Sequence, residues 1–184
     1  VGTDFSGIEA PLHALDNLGV KYEHRFSSDN DPNVQKMIWS NHDPEVLYPD
    51  IYERDNNIAP EVDIYVAGFP CQPFSRAGKE QGFNDTKGRG QLFFELHKYI
   101  KKRLPKVFIL ENVEGFKTLQ GGKYHKIVMS MLNNIKAQDG CPVYDIQEQI
   151  INTKDHGLPQ SRSRWYCVGF RKDAVPKSNS NHQP

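Results

Sequence analysis

The chain is organised around the stretch Gly68-Phe69-Pro70-Cys71-Gln72-Pro73-Phe74-Ser75-Arg76-Ala77-Gly78. This stretch follows residues 62–67, an apolar run that is typical of a short buried strand. Prolines on both sides of Cys71 stiffen the backbone and exclude a helix there. A thiol just past the carboxyl end of a strand lies where open α/β sheets place their chemistry. Taken alone, a single cysteine is more often a small buried apolar residue than a nucleophile.

The amino-terminal part of the chain has the pattern of a nucleotide-binding α/β unit. An apolar run at residues 1–5 is closed by Ser6-Gly7, and a helix is predicted from Glu9 to a stop at Gly19. The inner face of this helix is predicted to carry Leu12, Leu15 and Leu18. Strand, glycine turn and helix begin such a unit, but G-x-G-x-x-G is missing, which disfavours a nicotinamide or flavin cofactor.

Carboxylates follow the next two predicted strands. Residues 22–28 form a strand that ends at Asp29 and Asp31, and residues 46–52 form a third strand end that contains Asp50. A carboxylate just past the second strand can hydrogen-bond ribose hydroxyls or cap the next helix. The positions favour Asp31 as the helix cap and Asp29 as the ribose ligand.

Beyond Cys71, the sequence predicts a basic loop and then a buried strand. The loop runs to Gly90 with four basic and two acidic residues, which suits phosphate contact, and its length is typical of a lid or a disordered segment. A helix over 91–104 and an apolar strand over 106–110 follow, and the strand ends in Glu111-Asn112-Val113. A carboxylate at such an end is expected to have a raised pKa, with helix capping as the alternative.

The carboxyl-terminal part predicts one more helix and two strands. The helix covers residues 123–137, and its apolar side is predicted to carry Ile127, Met131 and Ile135. Strands over 144–153 and 165–170 are joined without a crossover helix, which predicts an antiparallel pair at the end of the sheet. His156 in the turn between them could be a general base, but a turn histidine beside Gly and Pro is more often structural.

The composition fits one folded domain over residues 1–176 with a flexible tail over 177–184. No apolar run approaches the length of a membrane span and no signal-peptide pattern is present, which predicts a soluble, intracellular protein. Three cysteines without CxxC or HxxxH spacing argue against a disulfide framework and against a zinc site. Because the first residue is Val1 rather than Met, we expect a trimmed chain or a fragment.

The zero net charge hides a division of the chain into two halves. Residues 1–67 hold 13 Asp and Glu against 4 Lys and Arg, whereas residues 68–184 hold 10 acidic against 19 basic residues. Chance clustering of solvated surface charges is one interpretation. The other is that the basic half faces a polyanion and the acidic half faces something else.

The ordered motifs of this chain resemble those of the DNA (cytosine-5)-methyltransferase family. They are Phe5-Ser6-Gly7, Asp29, Asp50, Gly68-Phe69-Pro70-Cys71-Gln72, Glu111-Asn112-Val113 and Gln160-Ser161-Arg162-Ser163-Arg164. Their order and approximate spacings match across nearly the whole chain. Each of the last three motifs would be weak alone, but their combination is specific.

The resemblance implies an α/β fold of the three-layer, Rossmann-like type found in S-adenosylmethionine-dependent methyltransferases. Its sheet would be mostly parallel and seven-stranded, with the last strand antiparallel. The implied reaction transfers a methyl group from S-adenosylmethionine to carbon 5 of a cytosine flipped out of duplex DNA. The implied location is the cytoplasm of a prokaryote or the nucleus of a eukaryote. The acidic half would then face the cationic sulfonium and the basic half the DNA.

The resemblance also assigns roles to individual residues. Cys71 would add to carbon 6 as the nucleophile, and Glu111 would hold a proton on the ring nitrogen N3. Arg162 and Arg164 would hold the base oxygen and nearby phosphates through their forked donors. The predicted cofactor-binding residues are Phe5, Gly7, Asp29, Asn30, Asp50, Ile51, Pro70 and Leu92. The predicted substrate-binding residues are Gln72, Ser75, Arg76, Arg89 and Asn112. No metal is implied.

The chain departs from the family pattern in three places. Glu9 stands where a glycine is common and would crowd the methionine end of the cofactor pocket. Asn30 stands where an apolar residue often stacks on adenine, which predicts a modest affinity. The sequence ends soon after Arg171-Lys172, so we expect a catalytic domain without the target-recognition domain and the last two motifs.

Two other functions stay open at this point. The same chemistry could act on a structured RNA such as tRNA, as in one branch of the family, although Gly68-Phe69-Pro70 before the cysteine leans towards DNA. The chain could also be a non-catalytic module that binds the cofactor or nucleic acid. The presence of Cys71, Glu111, Arg162 and Arg164 together argues against that alternative.

Overall fold

The computed structural model describes residues 1–70 and 91–174. The predicted site residues outside the described ranges are Cys71, Gln72, Ser75, Arg76 and Arg89, and the predicted tail at 177–184 also lies outside them. The described residues form a seven-stranded sheet and four α-helices. The strands are β1 (Gly2–Asp4), β2 (Phe26–Ser28), β3 (Val46–Tyr48), β4 (Ile64–Gly68), β5 (Val107–Val113), β6 (Tyr144–Asn152) and β7 (Ser163–Arg171). The helices are α1 (Ala10–Asn17), α2 (Pro32–Asn41), α3 (Leu92–Arg103) and α4 (Lys123–Asn133).

The strand order of the sheet is β3-β2-β1-β4-β5-β7-β6. Strands β1 to β5 pair in parallel, whereas β7 is antiparallel to both of its neighbours, β5 and β6. The mostly parallel sheet with an antiparallel last strand is therefore confirmed, as is the predicted antiparallel pair. Because parallel strands end at one edge of a sheet, the segments that follow β1, β2, β4 and β5 meet there.

Strands β2 and β3 are shorter than the sequence predicted. The predictions covered residues 22–28 and 46–52, but β2 begins at Phe26 and β3 ends at Tyr48. A 3₁₀ turn, Ile51–Glu53, follows β3, and the Asp50 carboxylate caps it by accepting the Tyr52 N–H at 2.9 Å. Aspartate side chains bond nearby backbone N–H groups in this way and thereby compete with strand formation.

The predicted inner face of α1 is partly wrong. Leu12 is 1% exposed and Leu15 is half-buried, but Leu18 is 76% exposed and lies beyond the helix end at Asn17. The three leucines are spaced three residues apart, and each such step falls about 60° short of a full helical turn. The third leucine therefore rotates away from the core.

The predicted apolar side of α4 is displaced by one residue. The buried positions are Tyr124, Val128 and Leu132, whereas the predicted Ile127 and Met131 are only half-buried. The third predicted residue, Ile135, is buried as expected but lies beyond the helix end at Asn133, short of the predicted end at residue 137. Both rows have a spacing of four residues, so periodicity alone could not distinguish them. The contacts of α4 with α3 and β6 select the buried row.

A buried ion pair joins β1 to the segment after β3. The guanidinium of Arg54 binds the Asp4 carboxylate, which also accepts the Tyr65 hydroxyl from β4. Both charged side chains are fully buried. The same guanidinium lies 4.5 Å from the centroid of the Tyr99 ring and 5.1 Å from that of Phe26, so aromatic faces replace part of its lost hydration. These contacts fix the carboxyl end of β1 in the sheet.

Replacement of Arg54 by methionine should lower the free energy of unfolding by about 3–5 kcal/mol, because Asp4 would remain buried without its counter-charge. Urea denaturation followed by circular dichroism measures the change. Arg103→Met is the matched control, since its partner Glu61 is 78% exposed and the two are 3.4 Å apart. That control should cost less than about 1 kcal/mol. Equal losses in the two variants would contradict a special role for the buried pair.

Candidate active site

Glu111 is the acidic centre of the candidate site. It lies within β5, directly opposite Gly68 of β4 and Tyr166 of β7, so the helix-capping alternative is wrong. Gly68 borders the Glu111 carboxylate, since a Cβ at residue 68 would stand 3.4 Å from Oε2, an ordinary van der Waals distance. The chain continues from Gly68 through Phe69-Pro70 to Cys71. The carboxylate therefore lies beside the carboxyl end of β4, three residues before Cys71 in the sequence.

Arg164 binds Glu111 across the antiparallel strands. Its Nε lies 2.9 Å from the Glu111 Oε1, while Arg162 is exposed nearby. Burial raises the pKa of Glu111, and the charges of the two arginines oppose that rise. The predicted direction of the pKa shift is thus confirmed. A carboxyl group with a raised pKa beside a fixed guanidinium can hold a proton and donate it.

Asn152, at the end of β6, orders the turn that carries these arginines, a role that the sequence analysis missed. Its Oδ1 accepts the Arg162 N–H at 3.0 Å, and its Nδ2 donates to the Ser163 hydroxyl at 3.0 Å. The available signal was an asparagine at a strand-to-turn boundary, where its side chain can replace backbone hydrogen bonds. His156, in the same turn, is exposed.

Asn112 points to the opposite face of β5 from Glu111, since side chains alternate along a strand. It is fully buried, and its Nδ2 donates to the Phe69 carbonyl at 3.3 Å. This contact holds the backbone two residues before Cys71. The observed contact is structural, and the substrate-binding role of Asn112 stays a prediction.

The turn after β1 is the candidate cofactor loop. Phe5, Gly7 and Glu9 all have left-handed backbone angles, with φ of 56°, 53° and 56°. For the two non-glycine residues this conformation costs about 1–2 kcal/mol each, so surrounding contacts must hold it. The Gly7 N–H donates to the Asp29 Oδ2 at 3.0 Å and thereby joins the turn to the end of β2. Such strained backbone is common at ligand-binding sites.

Asp29 and Asp31 make different contacts at the end of β2. Asp31 caps α2 by accepting the Asn33 N–H at 2.8 Å, which confirms the predicted cap. Asp29 accepts the Gly7 and Asp31 N–H groups, one on each oxygen, at 3.0 Å. An ionised carboxylate offers about four acceptor sites, so Asp29 keeps capacity for ribose hydroxyls. Its contact with ribose stays a prediction.

The other predicted cofactor residues lie in segments at the same edge of the sheet. Asn30 is exposed, Asp50 caps the 3₁₀ turn, and Ile51 is 5% exposed and packs in the core. Pro70 and Leu92 are half-buried, and Leu92 packs against the core at the start of α3. Their roles in binding a cofactor stay predictions.

Glu9 does not point into solvent at this loop, and the crowding that the sequence suggested is not seen. Its side chain is fully buried, where Oε1 accepts the Thr3 hydroxyl at 2.8 Å and the Ser27 hydroxyl at 2.6 Å. The His24 Nε2 lies 3.6 Å from the same oxygen. Burial raises the pKa of Glu9, and the hydroxyl hydrogen bonds oppose the rise. Glu9 therefore connects the loop to β1 and β2 through buried hydrogen bonds.

The acidic and basic halves of the sequence supply strands at opposite ends of the strand order. The first half supplies β1 to β3 and nearly all of β4, and the second half supplies β5 to β7, which are adjacent in the strand order. Within residues 1–70 and 91–174, no group of three or more His, Cys, Asp or Glu is arranged to hold a metal ion. No helix in those ranges is long and apolar enough to cross a membrane.

A cavity of about 740 Å³ lies at the other edge of the sheet. Its lining includes Val1, Asp63 and Lys106, which precede β1, β4 and β5. Glu111 lies near the carboxyl end of β5, and the candidate cofactor loop follows the carboxyl end of β1. The cavity is therefore separate from the candidate active site.

Comparison with known proteins identifies relatives over nearly the whole chain. The sequence model of the family described as C-5 cytosine-specific DNA methylase matches residues 4–184. The Type II methyltransferase M.HpaII of Haemophilus parainfluenzae is 40% identical over 182 residues, which is 98% of this chain and 48% of that protein. M.HaeII of Haemophilus aegyptius is 40% identical over 166 residues, 90% of this chain and 48% of that protein. The chain thus spans about half the length of these curated relatives.

Solved structures show the same fold at low sequence identity. A Spodoptera frugiperda DNMT2 mutant has a TM-score of 0.70 and 22% identity, covering 98% of this chain and 52% of that one. The S. pombe Dnmt2 methyltransferase has a TM-score of 0.66 and 19% identity, covering 96% of this chain and 50% of that one. These similarities support the three-layer α/β fold.

Replacement of Glu9 by glutamine should stabilise the protein at neutral pH and have a diminishing effect as the pH falls. Because the folded-state pKa lies above the ordinary value of 4.5, ionisation of Glu9 opposes folding above that pKa. A neutral amide avoids this cost, and the advantage should vanish near pH 4.5, where the folded state already holds the proton. Urea denaturation between pH 4.5 and 8 measures the difference.

The matched control for Glu9→Gln is Glu23→Gln, because the Glu23 side chain is 84% exposed. Its effect on the free energy of unfolding should stay small across the same pH range. A stabilisation by Glu9→Gln that does not depend on pH would show that ionisation of Glu9 is not the cause.

Proposed function

The chain belongs to the C-5 cytosine-specific DNA methylase family, and from that membership we propose that it transfers a methyl group from S-adenosylmethionine to carbon 5 of a cytosine in DNA. The observation that carries the proposal is the Glu111–Arg164 pair beside Gly68, at the point where β4 leads towards Cys71. Curated relatives at about 40% identity are named Type II methyltransferases. The family description names DNA, which favours DNA over tRNA as the substrate.

Cys71 and Glu111 would divide the activation of the cytosine ring. The Cys71 thiolate adds to carbon 6 of the flipped-out base, and the electron pair displaced from the ring double bond gives carbon 5 nucleophilic character. Glu111 places a proton on N3 as negative charge develops there, which its raised pKa favours. Carbon 5 would take the methyl group and leave the demethylated cofactor. Loss of the carbon 5 proton to a base then re-forms the double bond and expels the thiolate, and N3 returns its proton to Glu111. Cys71 and Glu111 therefore return to their starting states.

The arginines would orient Glu111 and the base. The Arg164 side chain already fixes one oxygen of Glu111 at 2.9 Å, which leaves the other oxygen, Oε2, on the side of Gly68. The Arg162 backbone N–H donates to Asn152, and this contact fixes the position of the Arg162 backbone from which its exposed side chain extends. A forked guanidinium can bind the cytosine oxygen or a neighbouring phosphate without losing its charge. Positioned donors of this kind lower the barrier because they need no reorganisation.

The residues at the ends of β1, β2 and β3 fit S-adenosylmethionine. Asp29 has acceptor capacity for a ribose diol, and Asp50 can accept from an adenine amino group while it caps the 3₁₀ turn. The burial of Glu9 removes its side chain from the surface of the loop. When bound there, the cofactor would supply the methyl group. Phe5 and Gly7 would shape the methionine end, and Pro70 and Leu92 would contribute to the wall.

Covalent trapping tests the proposed function. The chain is incubated with S-adenosylmethionine and duplex DNA that carries 5-fluorocytosine, which cannot lose its substituent, and a parallel reaction contains tRNA. We expect a denaturation-resistant DNA adduct on the Cys71 peptide, identified by mass spectrometry. Cofactor binding without any adduct would contradict methyl transfer by this chain, and an adduct with tRNA alone would move the substrate to RNA.

Two substitutions should separate chemistry from binding. Cys71→Ser should abolish the adduct while it leaves S-adenosylmethionine binding, measured by calorimetry, nearly unchanged. Glu111→Gln should slow adduct formation by about 10²–10⁴-fold, the usual contribution of a general acid. Glu114→Gln, an exposed carboxylate three positions later, is the matched control and should trap DNA at the parental rate. Loss of cofactor binding in Cys71→Ser would mean that the thiol is structural.

A further inference from the structure

A carboxylate on the far face of the sheet from Glu111 collects three donors. The Glu148 Oε2 accepts the His125 Nε2–H at 2.6 Å and the Trp165 Nε1–H at 2.7 Å, while Oε1 lies 3.1 Å from the Lys117 Nζ. The Glu148 side chain is 24% exposed. Partial burial alone would raise the pKa of Glu148, but these hydrogen bonds lower it to about 2, so the group is ionised at neutral pH.

The indole that Glu148 holds lies in an aromatic cluster formed by Phe69, Phe93, Phe116 and Trp165. Trp165 is fully buried, and its ring centroid lies 5.0 Å from that of Phe116 and 6.5 Å from that of Phe69. Phe116 and Phe69 are themselves 5.6 Å apart in an edge-to-face arrangement. Because aromatic pairs have preferred geometries, rotation of the indole would disturb both phenyl rings.

Phe69 connects this cluster to the proposed nucleophile. It is 2% exposed and directly precedes Pro70-Cys71, and its carbonyl accepts the Asn112 Nδ2–H. On the other face, the Glu111 carboxylate covers the preceding residue, Gly68. Phe69, two residues before Cys71, is thus held by the Asn112 hydrogen bond and by the aromatic cluster.

We propose that Glu148 is a positioning residue for Phe69 and, through the backbone, for Cys71 two residues later: by fixing the Trp165 indole and the His125 ring, it sets the aromatic cluster that holds Phe69. This inference rests on the proposed function, because it assigns Glu148 an effect on the addition of Cys71 to cytosine. Glu148 does not reach the reacting atoms and acts through Trp165 and Phe69. A displacement of about 1 Å at the reacting group can cost about 100-fold in rate.

The test compares Glu148→Ala and Glu148→Gln in a Trp39→Phe background, which leaves Trp165 as the single tryptophan of the chain. Single-turnover adduct formation with 5-fluorocytosine DNA is measured together with the dissociation constants for DNA and S-adenosylmethionine. We expect Glu148→Ala to slow adduct formation by about 10–100-fold with both dissociation constants unchanged, and Trp165 emission to shift to longer wavelength. Glu148→Gln should be intermediate, since its amide oxygen still accepts the indole N–H.

Asp145→Asn is the matched control, because Asp145 is an exposed carboxylate on the same strand. It should leave the adduct rate and the Trp165 emission unchanged. An unchanged adduct rate in Glu148→Ala would overturn the proposal. So would a loss of cofactor and DNA affinity in proportion to the rate, which would indicate a general loss of structure.

A readout without methyl transfer separates failure of this proposal from failure of the proposed function. If the parental chain binds S-adenosylmethionine but traps no DNA, methyl transfer by this chain fails. The positioning proposal is then decided by the alkylation rate of Cys71 relative to the exposed Cys141 on the same chain. A ratio that changes in Glu148→Ala and not in Asp145→Asn supports it, and an unchanged ratio overturns it.

Discussion

The buried pairing of Asp4 with Arg54 is the constraint on which the candidate site depends. Each charge is costly to remove from water, so neither side chain can leave the pair while the other stays buried. Asp4 is the last residue of β1, and the strained loop with Phe5 and Gly7 begins immediately after it. The buried Asp4–Arg54 ion pair thus helps to hold this loop in its unfavourable backbone conformation, because it fixes the residue from which the loop starts.

Side chains alternate along β5, so Glu111 and Asn112 point to opposite faces of the sheet. Glu111 and Asn112 are consecutive, and they act on consecutive residues of the neighbouring strand end, Gly68 and Phe69. The Glu111 Oε2 lies beside Gly68, whereas Asn112 donates a hydrogen bond to the Phe69 carbonyl inside the core. That hydrogen bond restricts the backbone two residues before Cys71, which a precisely placed nucleophile requires.

The division of charge has a structural counterpart in the strand order. The acidic segment forms the β3-β2-β1-β4 side of the sheet, and the basic segment forms the β5-β7-β6 side. A cationic cofactor and an anionic polymer would meet between them, near the ends of β4 and β5. Local contacts modify this pattern, since Glu148 is an acid in the basic half that pairs with Lys117 and accepts a hydrogen bond from His125.

The sequence by itself determined the order of elements, the antiparallel pair at the end of the sheet, the Asp31 cap and the carboxylate near the carboxyl end of β5. These features follow from local patterns: apolar runs, turn residues and an aspartate before a proline are read within a few residues. Tertiary structure alone decided which helical row of α4 is buried, because two adjacent rows had equal spacing. It also turned Glu9 inward, and it brought Asn152 to Arg162 and Glu148 to Trp165. Such contacts join residues far apart in the chain, and no local pattern specifies them, because they depend on the register of strands and the packing of faces.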